Sequence, residues 1–429
     1  MDIFAVNGAK LLSAFTKKFN LGNGSTWPGH LLLKREPHFL KKVFRENTIP
    51  VIVIAGTNGK TTTARMLKHI LVTSGKKVIH NESGANLLSG IVSSVILKMT
   101  KSGNLQADYA LFEVDENALP RLLREITPSI ILVLNIFRDQ LDRYGEVDSV
   151  AREWQEAFKK LPKTTQIILN ADDPLVAHLG NGLQAGVSYF GVSTKKTNTP
   201  LQHAADSIYC PRCGHKLSYA GVSFSHLGLW QCPACHLKRP TPGATSAPYY
   251  PLSGTYNEYN TIAASEIARR LHITDGEIRK SLKKFSPAFG RQEEITYKHR
   301  RAVLFLSKNP TGFNESLRTV TELHGKSVLL ALNDRYADGT DVSWIWDVDF
   351  EDFISSFRHI TVTGERAYDL GLRLLYADYQ KSQTTIETDL HRALDSAIEQ
   401  TPKNETLYIL PTYTAMLAIR KILTGKKIL

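Results

Sequence analysis

Residues Gly56-Thr57-Asn58-Gly59-Lys60-Thr61-Thr62 carry the densest chemical signal in the chain. They stand between the apolar run Val51-Ile52-Val53-Ile54 and the segment Ala64-Arg65-Met66-Leu67-Lys68-His69-Ile70-Leu71, the order expected of a strand, a glycine loop and a helix. Such a turn aims backbone N–H groups and a helix N-terminus at an anion. Lys60 adds positive charge for β/γ-phosphate oxygens, and the Thr61 hydroxyl suits Mg²⁺. A nucleoside triphosphate is the expected ligand. The general phosphate-loop pattern asks for glycine at 54, where Ile54 stands; the first glycine comes at Gly56. A plain turn between a buried strand and a helix is the competing reading, and the flanking elements favour the phosphate loop.

The four cysteines are Cys210, Cys213, Cys232 and Cys235, two C-x2-C pairs separated by 18 residues. That spacing reads as a four-thiolate zinc site, closed and therefore structural. Pro211 and Pro233 stiffen the knuckles and Gly214 helps the first one turn. A disulfide pair is the alternative, disfavoured in a reducing compartment. If a metal takes all four thiolates, no cysteine is left as a nucleophile.

Other polar groups follow apolar runs. Glu113-Val114-Asp115-Glu116 comes after Tyr109-Ala110-Leu111-Phe112; beside a phosphate loop, Glu113 suits a Mg²⁺ ligand, although an acidic strand end alone is usually surface. Asn135-Ile136-Phe137-Arg138-Asp139-Gln140-Leu141-Asp142 follows another strand-like run, where open α/β sheets bind ligands; Asp139 or Asp142 as an ordinary helix cap is the plainer account. Asn257 and Asn260 share a helix start at i, i+3, and capping is favoured over reading an adenine edge. Arg291, after Gly290, falls at a hinge from which it could reach a γ-phosphate. Asp338, Asp341, Asp347 and Asp349 crowd around Trp344 and Trp346 in a strand-like run; spacing alone favours solvated carboxylates over metal or histidine partners.

The elements that must position these groups follow from periodicity. Residues 1–45 read as a helix-rich lead-in. Strands are expected at 50–55, 77–80, 109–114, 130–135, 166–169 and 187–190, with helices between them. This is an α/β class fold with a mainly parallel sheet, interrupted at about 203–245 by the four-cysteine ribbon. Helices are expected at Tyr256 to Leu271 and Asp275 to Phe285. After a turn at Pro287–Arg291 a smaller α/β unit begins, with strands at Ala302–Leu306, Ser327–Leu332, 359–363 and 406–410 and a helix over Glu315–Leu323. The expected division is 1–290 and 291–429.

At 429 residues, 42% hydrophobic and 22% charged, the chain has material for two cores, which excludes disorder. No apolar run is long enough to span a membrane and no secretory signal is evident, so a soluble, cytoplasmic protein is expected. The balance of 53 Lys+Arg against 41 Asp+Glu, net +12, favours an anionic partner. With basic residues scattered and no RNA-recognition motif, nucleic acid is not expected.

Taken in order, the loop at Gly56–Thr62, Glu113, the Asn135 run, Asn257/Asn260 and Gly290-Arg291 resemble the motifs of the Mur ligases, whose phosphate loop also lacks the early glycine. The resemblance implies a Mur ligase-like central ATP-binding domain and a C-terminal Rossmann-like α/β domain. It also implies an ATP-dependent carbon–nitrogen ligase in peptidoglycan synthesis, in which a carboxylate is phosphorylated and an amine then attacks. Lys60 and Arg291 would hold phosphates, Thr61 and Glu113 would hold Mg²⁺, Asn257 and Asn260 would lie near the adenine, and Asn309-Pro310 would open the last domain. The region before the loop is too short for a UDP-binding domain, Gln140 replaces a histidine usual in the family, and the ribbon interrupts the central domain. That combination, with Asp338-Gly339 and Ser343-Trp344-Ile345-Trp346-Asp347, resembles the synthetase subunits of lipid II isoglutaminyl synthases. Such a subunit would amidate the α-carboxylate of D-glutamate in lipid II with ammonia from a GatD-like class I glutaminase. Asp347, with Asp349 the alternative, would complete the partner's Cys–His pair. A cationic enzyme would be drawn to lipid II at the anionic inner membrane face. The rival readings are a folylpolyglutamate-synthase-like ligase, a zinc-ribbon NTPase acting on nucleic acid, and a non-catalytic scaffold.

Overall fold

In the computed structural model, which describes residues 8, 10, 26–81, 85–100, 102–138, 147–193, 201–379 and 383–425, the apolar run at 51 forms strand β1 (Val51–Ala55), buried along its whole length. A strand hidden on both faces belongs inside a parallel sheet. It is joined by β2 (Val78–His80), β3 (Tyr109–Glu113), β4 (Ile130–Val133), β5 (Gln166–Asn170) and β6 (Gly186–Phe190). The order is β2-β3-β1-β4-β5-β6 and every pairing is parallel. Ile54 stands level with Glu113 on one side and Leu132 on the other, so the glycine loop, the acidic run and Asn135 emerge at the same edge.

The period of two along β1 divides its side chains between two cores. Val51, Val53 and Ala55 join the core made by α1 (Trp27–Arg35), α2 (Phe39–Glu46), α4 (Leu88–Lys98), α5 (Leu119–Glu125), α6 (Val147–Phe158) and α7 (Pro174–His178). Ile52 and Ile54 join the opposite core with α3 (Lys60–Thr73), α8 (Thr255–Arg270) and α9 (Asp275–Leu282). The cysteine segment contributes the antiparallel pair β7 (Ser218–Phe224) and β8 (Leu227–Gln231) between β6 and α8. Most of the lead-in before residue 26 lies outside the described residues.

A second six-stranded sheet follows. It comprises β9 (Arg291–Tyr297), β10 (Arg300–Phe305), β11 (Ser327–Ala331), β12 (His359–Thr363), β13 (Thr384–Ile386) and β14 (Thr406–Pro411), in the order β13-β12-β11-β14-β10-β9. Helices α10 (Pro310–Glu322), α11 (Ala367–Tyr376), α12 (Leu390–Gln400) and α13 (Tyr413–Thr424) accompany it. All pairings are parallel except β9 with β10. Strand β9 was not anticipated, because its sequence Arg-Gln-Glu-Glu-Ile-Thr-Tyr is polar and only partly buried. Its hairpin turns through Lys298 and His299, both left-handed (φ 46° and 59°), without the usual Asn-Gly signal.

Two further expectations are corrected. Helix α10 begins at Pro310, five residues before the expected Glu315, because Asn309 caps it through the Gly312 N–H and Pro310 suits the first turn. The tryptophan run is a 3₁₀ helix, Ser343–Asp347, rather than a strand. Its i→i+3 bonds run from Ile345 N–H to Val342 and from Val348 N–H to Ile345, 3.1 and 3.3 Å, and the Asp341 carboxylate accepts the Ser343 N–H at 2.8 Å. Alternating tryptophans mimic a strand period, but a turn-capping aspartate sets the local geometry. Among the described residues, no helix is long and apolar enough to cross a membrane.

Candidate active site

The loop after β1 is held by the chain leaving β4. The Thr57 N–H donates to the Asn135 carbonyl at 3.0 Å. The Thr57 hydroxyl donates to the Phe137 carbonyl (3.1 Å) and accepts from the Phe137 N–H (3.0 Å). The Asn58 N–H donates to Asn135 Oδ1 (2.8 Å), and Asn135 Nδ2 donates to the Asn58 carbonyl (3.0 Å). Asn135 therefore clamps the loop; the rest of its run, Asp139 to Asp142, lies outside the described residues. Gly59, with φ 88°, precedes α3, and a Cβ there would stand 2.1 Å from Asn260 Oδ1. Only glycine allows this approach of α8.

The two asparagines do not cap α8, whose N-cap is Gly254 with no side-chain bond. Both are buried. Asn260 Oδ1 accepts from the Thr63 hydroxyl (3.2 Å), Asn260 Nδ2 donates to Asn257 Oδ1 (3.2 Å), and Asn257 Nδ2 donates to the Ser253 carbonyl (2.7 Å). A buried helix start whose polar atoms face the loop ties α8 to the Gly56–Thr62 turn.

A cleft of about 720 Å³ opens here, with Lys60, Thr61, Glu113 and Glu116 on one side and Arg291 and Lys308 on the other. Lys60 Nζ donates to Glu116 Oε1 at 2.7 Å, to the Thr57 carbonyl at 3.3 Å and to the Gly56 carbonyl. The backbone of Glu113 is fixed by Asn81, which accepts its N–H (3.0 Å) and donates to its carbonyl (2.8 Å). Glu113 is 2% exposed, yet among the described residues its Oε2 has no hydrogen-bond partner. A buried orphan oxygen calls for a missing ligand. A carboxylate oxygen and the Thr61 hydroxyl, hard donors lining one cleft, fit Mg²⁺.

On the other flank of the loop lies a slot of about 60 Å³, lined among others by Gly59, Asn257, Asn260, Arg291, Asn309 and Glu315. Arg291 thus borders both cavities. Asn309 Nδ2 donates to Asn58 Oδ1 at 3.1 Å, joining α10 directly to the loop. Glu315 is buried, and that burial pushes its carboxyl up to about 7 despite an Arg318 Nε–H bond of 3.0 Å.

The aspartates have separate fates, and two of them are not solvated. Buried Asp338 accepts the Thr414 N–H at 2.7 Å, at the start of α13. Asp347 is 41% exposed and lies 3.3 Å from Arg138, which also binds Asp206. Asp349 is buried: Oδ1 accepts from His203 Nδ1 (2.5 Å), Oδ2 accepts from Asn314 Nδ2 (2.7 Å), and the Asp349 N–H donates to Asn314 Oδ1 (2.9 Å). The Asp349 carboxylate holds the His203 imidazole above its usual range. The Arg373 guanidinium lies over the rings of Phe350 and Trp346, at 5.3 and 5.6 Å.

The four cysteine sulfurs lie within 4.8 Å of one another. Cys210 and Cys235 are 3.5 Å apart and Cys213 and Cys232 3.6 Å. A disulfide needs about 2 Å, whereas a tetrahedral zinc with bonds of about 2.3 Å separates its sulfurs by roughly 3.8 Å. The knuckles repeat one turn: Gly214 N–H bonds the Cys210 carbonyl (2.9 Å) and His236 N–H the Cys232 carbonyl (3.1 Å), with both Gly214 and His236 left-handed. Asp172 anchors the ribbon, accepting from Arg239 Nε (2.5 Å) and from the Tyr259 hydroxyl (2.6 Å).

Of the residues singled out in the sequence, Gly56, Thr57, Asn58, Gly59, Lys60, Thr61, Thr62, Glu113, Asn257, Asn260 and Arg291 border these two adjoining cavities or the loop between them. Asp347 and Asp349 do not line either cavity. In the sequence Glu116 and Asn135 had no part beyond that of the runs they belong to, and Asn81 and His203 were not singled out. Glu116 and Asn135 stood in runs already quoted; Asn81 and His203 carried no local signal.

The chain matches the Mur ligase middle-domain family over residues 54–268 and the MurT ligase C-terminal family over 306–416. It is 33% identical to the MurT subunit of the glutamine-hydrolysing lipid II isoglutaminyl synthase of Staphylococcus aureus (strain COL), over 92% of this chain and 91% of that protein. It is also 33% identical to the corresponding subunit of Streptococcus pneumoniae (strain ATCC BAA-255 / R6), over 95% and 94%. Among solved structures, a pseudomurein peptide ligase type C from Methanothermus fervidus superimposes with a TM-score of 0.66 at 23% identity, covering 88% of this chain and 79% of that one. This last similarity concerns the fold.

Proposed function

Because the chain belongs to the MurT family of Mur ligases, we propose that it is the ATP-dependent synthetase subunit that amidates the D-glutamate α-carboxylate of lipid II to D-isoglutamine. The observation that carries this reading is the cleft lined by Lys60, Thr61 and Glu113, whose buried Oε2 has no hydrogen-bond partner among the described residues. ATP would lie between a unit of residues 1–290 and one of 291–429, its adenine toward Asn257 and Asn260 and its phosphates along Gly56–Thr62. Lys60 would exchange Glu116 for phosphate oxygens, and Arg291, bordering both cavities, would reach the γ-phosphate as the units close. Thr61 and Glu113 would hold Mg²⁺, which neutralises charge on the transferring phosphoryl group. The acceptor carboxylate attacks the γ-phosphorus and ADP departs. Ammonia then attacks the acyl phosphate, phosphate leaves, and the nitrogen loses a proton.

The four-sulfur cluster would hold a structural zinc, its donor set and spacing fitting that ion. With those thiolates committed, the chain has no cysteine nucleophile of its own, which supports ammonia supplied by a separate glutaminase of the GatD type. Burial and the Asn314 clamp support Asp349 over Asp347 as the carboxylate that completes the partner's Cys–His pair. The net charge of +12 supports attraction to the anionic inner membrane face. The deciding experiment incubates the co-purified complex with lipid II, ATP and glutamine and weighs the product. Replacement of OH by NH₂, a loss of about one mass unit, is expected of amide formation through acyl activation. ATP turnover driven by glutamate, with no partner and no change in lipid II, would point instead to a folylpolyglutamate-synthase-like ligase.

A further inference from the structure

We propose that His203 is a stand-in for an incoming imidazole: it occupies Asp349 in the isolated chain and surrenders that carboxylate to the glutaminase's catalytic histidine when the partner docks. The proposal rests on the reading that Asp349 serves the partner.

The contact is unequal. The His203 side chain is 86% exposed while that of Asp349 is 6% exposed, and the two meet at 2.5 Å. Behind Asp349, Asn314 on α10 takes the second carboxylate oxygen and the backbone N–H, at 2.7 and 2.9 Å. The orientation of the carboxylate is therefore set from the interior, and removal of the imidazole leaves Oδ1 in place at the surface. A group held in this way is pre-organised for a second imidazole.

The stretch carrying His203 is pinned on both sides of it. Gln202 Oε1 accepts the Ser225 N–H at 2.9 Å, and the Ala204 carbonyl accepts from the Ser225 hydroxyl at 2.8 Å and from Thr311 at 3.4 Å. Swinging the ring outward thus requires side-chain rotation alone. Among the described residues, Asp349 is its hydrogen-bond partner. In a hydrolytic triad a carboxylate orients the imidazole that serves as base, and His203 holds on Asp349 the place that such an incoming imidazole would take. This chain offers it no thiol, since its four cysteines converge on one another. The arrangement is complete only when another protein brings the nucleophile and its own base.

The test uses the full-length chain and its co-purified glutaminase. His203→Ala should associate about two- to five-fold more tightly, the equivalent of one exposed ion pair no longer in competition, with glutamine hydrolysis in the complex unchanged. His203→Gln should behave the same way. In isotopically labelled chain, the His203 Nδ1–H resonance should change on adding the partner. Weaker association or slower hydrolysis by both variants would overturn the proposal and make His203 a working part of the interface, as would a His203 resonance unaltered in the complex. If Asp349→Asn leaves hydrolysis intact, the underlying assignment of Asp349 falls and this proposal falls with it. A wild-type result for His203→Ala alongside an inactive Asp349→Asn overturns the stand-in and spares the assignment.

Discussion

Replacing Gly59 by alanine tests how the phosphate loop is held. The new Cβ would lie 2.1 Å from Asn260 Oδ1 and 3.0 Å from its Cγ, well inside the 3.4 Å at which ordinary contact begins. A left-handed backbone with a Cβ costs about 1 kcal/mol or more. Asn260 must also move, giving up its bonds with Thr63 and Asn257, at about 1 kcal/mol each. The native loop is then disfavoured by about 3 kcal/mol, which is on the order of a hundredfold in population. Equilibrium titration with a fluorescent ATP analogue should show a loss of affinity of that size. Gly75→Ala is the control: its φ is likewise positive, 80°, but a Cβ there meets nothing within 4 Å. It should cost the backbone term alone and leave nucleotide affinity untouched. If Gly59→Ala binds nucleotide like wild type and melts like Gly75→Ala, the Gly59–Asn260 approach does not position the loop.

Lys60→Ala should abolish amidation while the complex still assembles. It should also destabilise the fold by about 3 kcal/mol, because buried Glu116 loses its cation, and Lys60→Ala/Glu116→Ala should recover most of that in chemical denaturation; amidation by the single variant would sink the phosphate-loop assignment. Asp349→Asn should lower glutamine hydrolysis and spare ATP binding, with Asp347→Asn milder; no change in either variant removes the shared-triad idea. Elemental analysis should find one zinc per chain, lost with Cys210→Ser, and an intact metal-free ribbon would refute the structural site. Glu315 keeps its proton in the folded chain up to about pH 7, whereas the unfolded chain releases it near 4.5. Its contribution is thus most favourable below that lower value, declines as pH rises toward 7 and is then constant, a swing of about 3 kcal/mol. Glu315→Gln should gain stability relative to wild type between pH 5 and 8, and parallel profiles would show that the carboxyl is not held neutral.

Much of the fold was legible because its signals are local. The run Val51–Ile54, the glycine loop and the helix after it are contiguous, and four cysteines at paired spacing leave few arrangements. Strand β9 was hidden because an edge strand needs little apolar content, and the tryptophan run misled because a 3₁₀ helix can imitate an alternating pattern over so few residues. Spacing alone favoured caps for Asn257 and Asn260, and only the resemblance put them near the adenine, because a sequence shows which residues open a helix, not which loop they face.

By itself the sequence determined which groups are available: a glycine loop with Lys60 after a buried strand, a carboxylate at a strand end, and four cysteines in two C-x2-C pairs. Tertiary structure alone decided the pairings. Asn135 clamps the loop, Glu116 rather than Glu113 meets Lys60, and Asn314 and His203 converge on Asp349. Those partners are separated by 35 to 146 residues. They meet because parallel strands bring the ends of distant segments to one edge and the start of α10 reaches the loop through Asn309, and a hydrogen bond at that separation leaves no mark on local residue pattern.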